Sequence, residues 1–238
     1  MSSIEQAVVI GASGGIGAAL ATLLADRGAR VHGLSRRGIV PDARLQSGTI
    51  DIEDEASIAA AAAGIGTAAP VDLVLVATGI LHAEGVTPEK SVRQLSAASF
   101  ERYFAVNATG PALVAKHFLP LLPRDRRAVF AVLSARVGSI GDNRLGGWHG
   151  YRASKAALNM IVRTLSVELA RTRPDQICVA LHPGTVATPL SAPFQSGVAA
   201  ERLFAPETSA AHLLDVVGRL TPADSGRIIA WDGLEITP

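Results

Sequence analysis

Ala7-Val8-Val9-Ile10-Gly11-Ala12-Ser13-Gly14-Gly15-Ile16-Gly17 is the stretch on which the reading of this 238-residue chain turns. Four apolar residues make a short strand, a glycine-rich turn follows at once, and Gly15–Arg27 continues with helical spacing. Such a turn needs glycine for two reasons. It demands backbone angles that other residues resist, and it lets a ligand approach the main chain closely. The helix that follows offers free N–H groups and the positive end of its dipole to an anion. Spacing alone is weak evidence, because at this glycine content it should arise in roughly a fifth of chains by chance. Its place between strand and helix is what gives it weight. The stretch Gly11–Gly15 also fits the G-x-S-x-G elbow of hydrolases, but that elbow sits deeper in the sheet with Asp and His partners downstream.

Outward from this turn, short apolar runs alternate with longer helical patterns. The expected strands are Ala7–Ile10, Arg30–Leu34, Gly48–Ile50, Val71–Ala77, Ala128–Leu133, Ile177–Leu181 and Arg227–Trp231. They are rich in Val, Ile and Leu and mostly lack in/out alternation, as parallel strands buried on both faces do. The expected helices are Gly15–Arg27, Glu53–Ala63, Ala97–Leu122, Tyr151–Arg171 and Pro206–Arg219. The alternation predicts an α/β chain, a doubly wound parallel sheet (Rossmann fold) of about seven strands with helices on both faces. Residues 1–238 read as one NAD(P)-binding domain. Two loops stand out, Gly138–Gly150 with its glycines, Trp148 and His149, and Pro183–Gly197 with three prolines. Both follow strand ends, where such sheets bind ligands.

The glycine turn therefore predicts pyrophosphate contacts at Gly11, Ser13, Gly14, Gly15, Ile16 and Gly17. The second strand decides which dinucleotide. It ends in Ser35-Arg36-Arg37 without a carboxylate. An acid there would bind the ribose hydroxyl of NAD, whereas a guanidinium suits the 2′-phosphate of NADP. NADP(H) is expected over NAD(H), with Ser35 and Arg36 as contacts. Asp51 and Ile52, after the third strand, are placed to meet the adenine; a helix-capping role for Asp51 is the competing reading.

Tyr151-Arg152-Ala153-Ser154-Lys155 opens a helix and puts phenol and ammonium on one face. A nearby positive charge favours the phenolate and makes tyrosine a better acid. The chain has two tyrosines and three lysines, so this pairing should arise by chance in only about 2.5% of such chains. That makes it a sharper signal than the glycines.

Glycine turn and Tyr-x-x-x-Lys together resemble the short-chain dehydrogenase/reductase family over essentially the whole chain. The run Arg136–Asn143, then Gly146-Gly147-Trp148 and Tyr151–Asn159, with the ending Ala230-Trp231-Asp232-Gly233, resembles its C-factor-like and small carbonyl reductase branch. The resemblance implies hydride transfer between a nicotinamide cofactor and a small-molecule carbonyl or alcohol. Tyr151 would be the general acid, Lys155 would tune it and hold the nicotinamide ribose, and Asn107 would kink its helix and hold a relay water. It further implies cofactor contacts from Ala77, Thr78 and Gly79, and from Pro183, Gly184, Thr185, Val186 and Thr188. Helices like Ala97–Leu122 and Tyr151–Arg171 pack into subunit interfaces in this family, giving a homodimer or homotetramer; burial within one chain is the alternative. One departure matters. Where the family places a serine pair, this chain reads Ser134-Ala135, so Ser134 or Ser139 must serve as the carbonyl-binding hydroxyl, or none does.

Composition removes other classes. A net charge of +1 gives no electrostatic footprint for nucleic acid. No stretch approaches the 18 or so apolar residues of a membrane span, and Met1–Gln6 is polar with no signal-peptide core behind it. Cys178 is the only cysteine, inside an apolar run, and reads as a packing residue in a reducing, cytoplasmic setting. The six histidines lack metal-ligand spacing, so no metal is expected. A non-catalytic NADP(H)-binding regulator, suggested by Ala135, is the rival reading. An extended epimerase or dehydratase would need a larger C-terminal substrate domain.

Overall fold

The computed structural model describes residues 4–38, 44–66 and 69–238. The sheet strands are β1 (Gln6–Ile10), β2 (Arg30–Ser35), β3 (Leu45–Thr49), β4 (Leu73–Val76), β5 (Ala128–Leu133), β6 (Gln176–His182) and β9 (Ile228–Ala230). Two-residue strands β7 (Thr185–Val186) and β8 (Leu203–Phe204) form a separate pair. The main sheet runs β3-β2-β1-β4-β5-β6-β9, and every neighbouring pair in it is parallel. The seven-stranded doubly wound sheet expected from the sequence is present.

The apolar strands are explained by burial on both sides. In β1, Val8 and Ile10 join one core and Ala7 and Val9 the other, all fully buried. Helices α2 (Glu55–Ile65), α4 (Gly110–Phe118) and α5 (His149–Thr172) cover the first face. Helices α1 (Gly15–Asp26) and α6 (Pro206–Arg219) cover the second. Cys178 is fully buried in the first core, and its burial pushes the thiol up to about 12, as a packing residue requires. No helix among the described residues is long and apolar enough to cross a membrane.

Several expected elements have ends shifted by one or two residues, and two differ further. The third strand begins at Leu45 rather than Gly48, because an edge strand can be polar and half-exposed and so carries no apolar run. The single helix expected over Ala97–Leu122 is broken into α3 (Ala97–Phe104), a π turn over Ala105–Thr109, α4 and a final 3₁₀ turn over Leu119–Leu121. The π turn lets Asn107 leave the regular ladder. Gly110 then seats α4 against the loop after β3, where a Cβ would lie 2.8 Å from the Ile52 carbonyl oxygen.

The sheet's winding reverses between β1 and β4, the place where open α/β sheets bind ligands beyond the strands' carboxyl ends. Gly11 leaves β1 and Ala77 leaves β4 there, so close that a Cβ on Gly11 would meet Ala77 C at 3.0 Å.

Candidate active site

Two adjoining cavities occupy this edge. The first is lined by Gly11, Ser13, Gly14, Ser35, Arg36, Arg37, Asp51, Ile52, Ala77, Thr78 and Gly79, among others. The second continues from Ser13–Ile16 past Ala77–Gly79 to Tyr151, Lys155, Pro183 and Thr188. Sequence-predicted residues from β1, β2, β4, α5 and the loop after β6 are thus brought into one continuous groove.

The groove fits a dinucleotide. A Cβ at Gly17 would lie 2.2 Å from the Gly11 carbonyl oxygen, so the tight turn excludes any larger residue. Helix α1 has no side-chain cap and no acid in its first turn, which leaves its N–H groups and dipole for an anion. Thr78 Oγ1 is buried in the groove without a hydrogen-bond partner among the described residues. Arg36 and Arg37 are exposed at the first cavity and form no ion pair among the described residues, whereas Arg102 there is paired with Glu53. Asp51 lines the same cavity while its Oδ1 accepts from the Glu53 N–H at 3.0 Å. The capping reading of Asp51 does not hold, because the N-cap of α2 is Asp54, whose side chain accepts from the Ala56 N–H at 3.0 Å.

Tyr151 sits at the junction of the groove and a third cavity of about 340 Å³, large enough for a small molecule. Its lining includes the apolar Leu81, Ala135, Val137, Trp148, Leu190 and Phe194 together with Ser134, His182, Gly184, Thr185, Val186 and Thr188. Trp148 packs edge-on to both Phe194 and Tyr151, at 5.1 and 6.2 Å between ring centroids. Of the two loop residues singled out before Tyr151, Trp148 lines the cavity and His149 does not. Leu190 and Phe194 come from the proline-bearing loop, within the segment 187–202 that the β7–β8 pair brackets.

The spacing of Tyr151 and Lys155 predicts an acidified phenol. In the protein alone burial dominates both groups. It pushes the Tyr151 phenol above its ordinary range, with Tyr103 adding to the effect, and pushes Lys155 down to about 8. Lys155 Nζ donates to the Leu133 carbonyl at 2.8 Å. Both shifts run against the expected acidification: in the protein alone Tyr151 is protonated but a weaker acid than a free phenol, because burial outweighs any help from the Lys155 ammonium.

Asn107 is fully buried. Its Oδ1 accepts from the Ile80 N–H at 2.9 Å, and its Nδ2 donates to the Ile80 carbonyl and to Ser154 Oγ. The amide therefore ties the π turn to α5 beside Tyr151, and one Oδ1 lone pair is left over. A Cβ at Gly79 would lie 3.3 Å from Asn107 Oδ1 and 3.6 Å from Lys155 Nζ, so this glycine keeps the space between them open. Neither candidate hydroxyl is placed to donate to a carbonyl. Ser134 Oγ donates to Asn159 Oδ1 at 2.7 Å, and Ser139 Oγ accepts from the Asp142 N–H at 3.0 Å and lines none of the three cavities. Ala135 faces the third cavity where a hydroxyl would serve.

Comparison with known proteins agrees with this geometry. The family model for short chain dehydrogenase matches residues 5–199. The 1-hydroxy-2-glutathionyl-2-methyl-3-butene dehydrogenase of Rhodococcus sp. is 32% identical, over 97% of this chain and 98% of its own length. The C-signal protein of Myxococcus xanthus is 39% identical over 58% of this chain and 78% of its own. Among solved structures, the NADPH-bound carbonyl reductase from chicken fatty liver superposes with a TM-score of 0.84 at 25% identity, covering 99% of both chains. A short-chain dehydrogenase/reductase from Burkholderia multivorans with bound NADP gives 0.82 at 27% identity, covering 98% of this chain and 99% of that one. The chain belongs to the short chain dehydrogenase family.

Proposed function

We propose that the protein is an NADP(H)-dependent oxidoreductase that interconverts a small, uncharged, largely apolar carbonyl compound and its alcohol. The observation that carries this reading is the position of Tyr151, which lines both the glycine-floored groove and the apolar cavity beside it. Its hydroxyl makes no hydrogen bond to protein among the described residues, so it remains available to a carbonyl oxygen.

The cofactor supplies the hydride. Gly11, Ser13, Gly14, Gly15, Ile16 and Gly17 would hold its pyrophosphate, Arg36 and Arg37 its 2′-phosphate, and Thr78, Lys155 and Thr188 its nicotinamide end. Tyr151 donates a proton to the oxygen of the carbonyl being reduced. Lys155, Asn107 and Ser154 hold that phenol and its helix in place. The cavity walls carry no full charge, since burial pushes His182 down to about 4 and keeps it neutral. Such walls favour neutral over carboxylated substrates, because a buried unpaired charge is costly. The expectation of a homodimer or homotetramer has one supporting observation, the exposed apolar residues Ile140 and Met160 that share a groove beside α5.

A steady-state assay of NADPH consumption with neutral aromatic aldehydes, ketones and quinones, against carboxylated analogues, tests the proposal. Turnover of the neutral compounds is expected. NADPH binding without turnover across the whole panel would overturn it and favour the regulator.

A further inference from the structure

A carboxylate that the reaction does not use lies buried beside the catalytic helix. Glu89 is 3% exposed, in the loop between β4 and α3. Its Oε2 accepts from the Gly150 N–H at 3.1 Å, and its main-chain carbonyl accepts from the Trp148 N–H at 2.5 Å. Oε1 is buried without a hydrogen-bond partner among the described residues.

Helix α5 explains why the acid is there. Its N-terminal cap is Trp148, in the left-handed conformation at φ 53° and ψ 43°, with no side-chain cap, and its first turn contains no Asp or Glu. The capping acceptor and the negative charge that a helix start requires come instead from a loop about sixty residues earlier in the chain. Burying a carboxylate costs several kcal/mol unless it is compensated, and the helix start is what compensates it. The fit depends on glycine, because a Cβ at Gly150 would lie 2.6 Å from Tyr103 Cδ2 and 3.0 Å from Glu89 Oε1. Tyr103 packs edge-on against Tyr151 at 6.1 Å and donates to the Leu81 carbonyl, in the same loop, at 2.7 Å.

We propose that Glu89 is a positioning residue for the reaction, a cap supplied to α5 from a distant loop of the same chain that fixes both the Tyr151 phenol and the Trp148 ring at the cavity. It acts through Gly150 and Trp148 and does not touch substrate. The proposal rests on the function given above.

The experiment compares Glu89→Ala and Glu89→Gln with the parent protein. Amide hydrogen exchange over residues 148–151, NADPH affinity and kcat are each measured. Glutamine keeps an oxygen at the same reach for the Gly150 N–H; alanine removes it. In the alanine variant, exchange at 148–151 should accelerate and kcat should fall about ten- to a hundredfold, the scale of losing near-attack geometry. NADPH affinity should stay within about twofold. Glutamine should recover most of kcat. Unchanged exchange, unchanged kcat, or equal loss of kcat and cofactor binding in the alanine variant each overturns the proposal, as does a glutamine variant no better than alanine. A parent protein without turnover would instead sink the reaction reading, and the positioning role with it. Unchanged exchange in the alanine variant of an active parent sinks the positioning role alone.

Discussion

Replacing Arg36 and Arg37 together by alanine separates the two nicotinamide dinucleotides. Both side chains are exposed at the first cavity beside Ser35, and neither is engaged in an ion pair among the described residues. Glu53 is neutralised by Arg102, and Asp51 Oδ1 is occupied by a backbone N–H, so these two guanidiniums are the uncompensated charges at that end of the groove. A charge-assisted hydrogen bond contributes about 1.5–3 kcal/mol, and exposure to solvent places each arginine at the low end. At about 1.4 kcal/mol per tenfold, the double variant should bind NADPH about a hundredfold more weakly. NADH lacks the 2′-phosphate and should bind within about twofold of the parent protein. Fluorescence titration of both cofactors gives the two constants. Raising ionic strength from 0.01 to 0.15 M shortens the Debye length from about 30 to about 8 Å. Salt should therefore weaken NADPH binding to the parent more than to the variant. Equal weakening of both cofactors, or an unchanged NADPH constant, would refute the reasoning.

Three further outcomes follow from the site. Ala135→Ser adds a hydroxyl facing the third cavity and should raise kcat/KM about tenfold, below the roughly hundred- to thousandfold of a fully preorganised transition-state donor; no gain in steady-state kinetics would mean that the residue does not face the carbonyl. Gly17→Ala puts a Cβ 2.2 Å from the Gly11 carbonyl oxygen and should weaken NADPH binding at least about tenfold, since the cradle must open; an unchanged titration would contradict the close packing. His182 is held neutral by burial, and by Arg136 against the opposing Asp232, at about 4 rather than 6.5. Below about pH 6.5 the unfolded chain takes up a proton that the folded chain refuses, so stability falls toward pH 4, by up to about 3 kcal/mol. Urea melts of the parent and of His182→Gln should diverge over that window, and coincident curves would rule out this source of acid sensitivity.

The fold was legible because a sheet buried on both faces writes itself as short apolar runs, as Ala7–Ile10 and Ala128–Leu133 do. The glycine turn and the Tyr151–Lys155 spacing were legible because their chemistry demands particular residues at fixed separations. Other features leave little trace. The polar edge strand Leu45–Thr49 has one face in solvent, and two-residue strands such as Thr185–Val186 have no periodicity to detect. The π turn at Asn107 is one inserted residue in a continuous helical pattern, visible only through the oddity of a buried asparagine. The cavity walls Leu81, Leu190 and Phe194 come from loops whose side chains meet only in three dimensions. Glu89 reads as an ordinary loop acid, because its partner is a backbone N–H, which carries no sequence signal. The hydroxyls of Ser134 and Ser139 could be assigned only from their neighbours, which engage both of them.

In the proposed reaction Tyr151 delivers the proton as hydride reaches the carbonyl carbon. Tyr151→Phe, followed by NADPH consumption with the best substrate of the panel and by NADPH titration, removes that proton alone. Turnover should fall by about a thousandfold or more, within the range of general acid catalysis, while NADPH binds as before. A phenylalanine variant that keeps even a tenth of the parent turnover would contradict that role.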